Sequence, residues 1–96
     1  MPKTPKCFSL EWVNGLRPVI ADIRTERRNQ FLKWGFQAHD LPTWLVILNE
    51  ELGELSEEIL KAKFIPGPPR PQLRAEAVQV AAVAAAIVQY LDKGKA

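Results

Sequence analysis

The chain has 96 residues, of which 47% are apolar and 25% charged, and its formal net charge is +2. That describes one small domain with material for a core, and it excludes a uniformly basic nucleic-acid binder. Cys7 is the only cysteine, which excludes an internal disulfide and a multi-cysteine zinc site. The N-terminal Met1-Pro2-Lys3-Thr4-Pro5-Lys6 lacks the apolar centre of a signal peptide, and the longest apolar run, Val80 to Val88, is too short to span a bilayer. A soluble, cytoplasmic protein with no membrane or nucleic-acid partner is expected. So small a domain buries a modest core, and oligomerisation would help it.

Residues 1–17 read as an arm, frayed over the first eight positions, with one short helical turn from Ser9 as N-cap to Gly15 as stop. A first long helix is expected to begin near Pro18, a favoured first-turn residue, and to end at Trp34-Gly35. Ile20, Ile23, Arg27 and Phe31 fall on one of its faces, widened by Val19 and Leu32. Residues 35–42 form a loop closed by Asp40-Leu41-Pro42. A second helix should run from Pro42 or Thr43 to about Lys63. Leu41, Leu45, Leu48, Leu52, Leu55 and Ile59 recur on it at steps of four and three, the seam of a helix packed against helices. Residues 64–71 hold four prolines and one glycine and cannot be helical. The last helix should span Pro71 or Gln72 to Asp92. Its alanines and valines allow close approach on several sides, which suits the centre of an assembly. The fold expected is an all-α small helical bundle, three main helices plus the short N-terminal turn, completed by oligomerisation, with residues 18–93 as the helical domain.

The acids do not follow a plain core pattern. Residues 50–58 carry five glutamates, and Glu51, Glu54 and Glu58 share one helical stripe. Carboxylates so placed repel unless water or a cation separates them. Glu76 projects along the line of Val80, Val83 and Ile87, and a lone carboxylate on an apolar face is costly unless paired. Together with Glu51 and Glu54 it would make a nest for a hard divalent ion such as magnesium, with the Gln79 amide oxygen one turn on. Glu50 and Glu57 read as solvated, and Glu58 as a partner for Lys61 or Arg70. Trp34 and Trp44 flank the loop that holds His39; they serve a core, or stack on a planar base. Lys33, Arg27 and Arg70 would find a use in a phosphate tail.

The string Glu51-Leu-Gly-Glu54, a linker, then Glu76-Ala-Val-Gln79 resembles the MazG-like all-α nucleoside triphosphate pyrophosphohydrolases, whose signature is ExxE, a spacer and ExxD. Gln30, Lys33-Trp34-Gly35, Gln37, His39 and Trp44-Leu45 are similar to the stretch that precedes the signature. The resemblance covers residues 19–92. It implies a helical bundle that dimerises or tetramerises and a magnesium-dependent cleavage of a (deoxy)nucleoside triphosphate to monophosphate and pyrophosphate, in nucleotide-pool house-cleaning. It implies Glu51, Glu54, Glu76 and Gln79 at the metal, with Gln79 standing where the family has Asp and one negative charge lost. Trp34, His39 and Trp44 would form the base pocket, with Lys33 toward the phosphates, and Glu50 or Glu54 would take the proton of the attacking water. A different reading makes the chain a non-catalytic helical oligomerisation or regulatory module that binds nucleotide or metal.

Overall fold

The computed structural model describes residues 10–35 and 39–94. Among these there is no strand, and the bundle is all-α: α1 (Leu10–Asn14), α2 (Leu16–Trp34), α3 (Leu41–Phe64) and α4 (Pro71–Gly94). The expected N-cap Ser9, together with Cys7 and Gln37, lies outside the described residues. Helix α2 starts one half-turn earlier than Pro18, because Gly15 keeps helical dihedrals and its N–H donates to the Glu11 carbonyl at 2.9 Å. At the other end Gly35, with φ of 75°, takes the left-handed turn that a side chain would resist, and its N–H closes on the Phe31 carbonyl. Asp40 caps α3: its Oδ1 accepts from the Thr43 N–H at 2.9 Å, and Pro42 follows in the first turn.

Helix α4 is the centre of the chain. It packs on α3 along one side and on α2 along another, while α2 and α3 make no close backbone approach. Small residues permit this: Ala82, Val83 and Ala86 are buried in its middle, and Trp44 of α3 lies on Val83 and Ala86 with Ile47, Leu48 and Ile87 around them. Trp44 pairs with the middle of α4 while Glu54 meets Glu76 near its start, so α3 and α4 run antiparallel. The linker between them is pinned. Arg70 donates to both carboxylate oxygens of Glu58 at 2.8 and 2.7 Å, and Lys61 adds a longer contact at 3.5 Å. An Asp22–Arg74 ion pair at 2.7 Å ties α2 to α4. By length and composition α4 could cross a membrane, since an 18-residue window within Pro71–Lys93 has a mean hydropathy of 1.2. It is also the helix that carries the core.

The buried stripe of α3 differs from the leucine seam read in the sequence. Facing α4 are Trp44, Ile47, Leu48, Glu51, Leu55, Glu58 and Ala62. Leu41, Leu45, Leu52 and Ile59 of the expected seam are exposed, Leu45 to 56%. The two stripes share Leu48 and Leu55, and the one that α4 covers joins the large indole of Trp44 to Glu51 and Glu58. On α2 the covered stripe is Val19, Asp22, Ile23, Glu26, Arg27 and Gln30, whereas Ile20, Phe31 and Leu32 stand exposed.

Candidate metal centre and adjoining cavity

Turning α3 onto Trp44 carries Glu51 inward with it, since 44, 47, 51 and 55 share one face. Glu54 follows three residues on and stays exposed at the rim. From the first turns of α4, Glu76 faces them. One carboxylate oxygen from each of Glu51, Glu54 and Glu76 lies within 4.8 Å of the other two. The structure brings Glu51, Glu54 and Glu76 together, with Glu51 on the packed face of α3, while Glu58 of the same sequence stripe is held by Arg70.

The electrostatics follow from this crowding. Burial first, then the charges of Glu54, Glu76, Glu26 and Glu50, push the Glu51 carboxyl above the usual carboxylate range. Burial also raises Glu76, joined by a hydrogen bond with Glu54 and by the charges of Glu54 and Glu58. Glu51 Oε2 and Glu76 Oε2 are both enclosed and have no hydrogen-bond partner among the described residues. A buried charged oxygen without a donor is costly. A hard cation answers that cost. The three carboxylates offer the oxygen donors that a hard divalent cation takes, and together could hold one.

Beside the acids lies a cavity of about 200 Å³, lined by Gln30, Trp34, Trp44, Ile47, Glu51, Gln79 and Val83. Pockets for drug-sized ligands run to roughly 300–1,000 Å³; this one suits a single planar ring system. Trp44 forms a wall, at 4% exposure, while Trp34 is open to solvent on its outer side. His39 and Lys33 are outside this lining and touch it through the indoles. His39 stands edge-on to Trp44 with ring centroids 4.9 Å apart. Lys33 Nζ lies 4.7 Å from the Trp34 ring centroid, a cation–π contact. Gln79 lies in the cavity wall next to Glu51, one turn from Glu76. Glu50 is exposed, outside the three-carboxylate group, as is Glu57.

No family model, curated protein or solved structure matches the chain.

The sequence had not marked Gln30, Ile47 or Val83 as lining residues. Ile47 and Val83 look like any core aliphatic. Gln30 carries a clearer signal: it is a polar residue on the stripe of Val19, Ile23 and Arg27, the stripe that α4 covers.

Proposed function

We propose that this chain is a MazG-like, magnesium-dependent pyrophosphohydrolase that cleaves a (deoxy)nucleoside triphosphate to the monophosphate and pyrophosphate, removing unwanted nucleotides from the pool. The observation that supports it is the convergence of Glu51, Glu54 and Glu76, two of them with orphaned buried oxygens, at the edge of a ring-sized cavity walled by two indoles. Glu51 and Glu76 would hold the ion from the two helices, with Glu54 at the open side. Magnesium, when bound, neutralises phosphate charge and makes water more acidic.

The remaining roles belong to the chain itself. Trp34 and Trp44 sandwich or flank the base and keep water from it. Lys33, at the rim beside Trp34, meets the triphosphate's charge. Glu54, exposed at the rim, accepts a proton as the water oxygen bonds to the α-phosphorus and the bridging bond to pyrophosphate breaks. Glu50, outside the cluster, is the less suited of the two acids for that step. Pyrophosphate release across a panel of nucleoside triphosphates, with and without magnesium, tests the proposal. Release from at least one of them, dependent on magnesium, is expected; release from none sinks it.

Gln79 favours a second reading. It lines the cavity where a fourth carboxylate would strengthen the ion site, so a module that binds nucleotide and ion without turnover is the rival. Tight magnesium-dependent binding with no pyrophosphate release would select it.

The partner in this proposal is the chain itself, as a homodimer or homotetramer acting in the cytoplasm. The apolar stripe Leu41, Leu45, Leu52 and Ile59 is left uncovered on α3. The radius of gyration is 16.1 Å, against about 12–13 Å expected for a compact chain of this length. Light scattering at micromolar concentration should give a multiple of the chain mass.

A further inference from the structure

The cavity wall contains a polar arrangement that bears on which ring it accepts. Gln30 is held by Arg27, whose Nη1 donates to Gln30 Oε1 at 2.7 Å, while Arg27 Nε donates to Gln89 Oε1 on α4 at 3.2 Å. A guanidinium has donors and no acceptor. The Gln30 carbonyl oxygen must therefore face Arg27, and its NH2 group must face the other way. Among the described residues, the one contact of that NH2 is to Glu26 Oε1 at 3.5 Å, at the limit of a hydrogen bond. It leaves one N–H to offer. Arg27 is itself fixed by reaching across to α4, so the amide is oriented from outside its own helix.

Trp44 also lines the cavity, but its indole N–H is enclosed in the packing, with no partner among the described residues. Indole can only donate. Ile47 and Val83 supply apolar surface, and Glu51, at the acid end, is occupied with the cation in the reading above. Gln30 is thus the lining residue whose oriented amide keeps an N–H to offer.

We propose that Gln30, oriented by Arg27, is a specificity-determining donor that selects a planar ring bearing a carbonyl oxygen at the matching edge, as in uracil, thymine or guanine. Rings with an amino group in that place, as in cytosine or adenine, set donor against donor and leave buried N–H groups unpaired, which a site built on hydrogen bonds rejects strongly. The inference rests on the pyrophosphohydrolase reading for the location of the base, and not on turnover. Arg27 is a positioning residue: it touches Gln30 and not the ring.

The test separates binding from hydrolysis. Affinities of the α,β-imido analogues of dUTP and dCTP are measured by calorimetry with magnesium, on the full chain and on Gln30→Glu and Gln30→Leu. The wild type is expected to favour the dUTP analogue by at least about tenfold. Gln30→Glu keeps one oxygen on Arg27 and turns an acceptor to the ring, so the preference should shrink or invert; Gln30→Leu should abolish it. The ratio of two affinities on one protein is insensitive to a general loss of stability. Equal affinities in the wild type, or an unchanged ratio in Gln30→Glu, overturn the proposal. A carbonyl preference in binding with no hydrolysis of any triphosphate upholds it and sinks the pyrophosphohydrolase reading instead. Binding of neither analogue overturns the proposal, while the pyrophosphohydrolase reading is decided by the nucleotide panel.

Discussion

Replacing Glu76 by Gln should stabilise the cation-free protein and weaken its response to magnesium. The carboxylate oxygens of Glu51 and Glu76 lie within 4.8 Å. At that separation two unit charges repel by about 1 kcal/mol in water and by about 3 kcal/mol at an effective dielectric of ~20. Glu76→Gln keeps the shape and removes one charge, so a gain of about 1–3 kcal/mol at neutral pH is expected without divalent ions. The pH dependence has a definite sign. Both carboxyls titrate above the usual range in the folded state, so they help the fold when protonated, and that help is lost as pH rises through their folded values. The gap between variant and wild type should therefore open with rising pH and close in acid. Urea unfolding followed by circular dichroism, at fixed protein concentration, measures it. Magnesium should then stabilise the wild type more than the variant. A variant less stable than the wild type in chelator at neutral pH, or a gap indifferent to pH, would refute the crowded-carboxylate account.

Three further outcomes can be checked. Glu54→Gln should abolish pyrophosphate release while circular dichroism stays that of the parent, because Glu54 is at the exposed rim and not in the core. Trp44→Ala removes the largest side chain of the core cluster and should cost about 3–5 kcal/mol in urea unfolding, as large-to-small aromatic replacements do. The Glu58 carboxyl is held below its ordinary range, chiefly by its hydrogen bond to Arg70; its contribution is present at neutral pH and is lost as pH falls through the folded value. Arg70→Met should therefore flatten the acid side of the melting-temperature profile, and an unchanged slope would remove the ion pair from the account of the linker.

The helices were legible because their signals are local. Prolines and Gly67 exclude residues 65–70 from any helix, Gly35 ends α2, and Asp40 with Pro42 opens α3. The grouping of Glu51, Glu54 and Glu76 was legible for a related reason. Helical spacing fixes the first two, and an acid in line with Val80, Val83 and Ile87 calls for a partner. The face of α3 that is covered was not legible. The leucine stripe and the Trp44 stripe are equally periodic, and only packing against α4 distinguishes them. Nor did spacing foretell the bond from Arg27 to Gln89, which joins residues far apart in sequence and orients Gln30. Long-range contacts of this kind leave no periodic trace.

Two methyl groups on α4 have an importance their chemistry conceals. Ala82 and Ala86 are almost wholly enclosed, at 0% and 2% exposure, and packed helices stand about 8–10 Å apart according to the bulk between them. These alanines act as shims. A thicker residue at either position would wedge the neighbouring helices outward and spread the three acids, detuning an ion's cradle without touching a ligand.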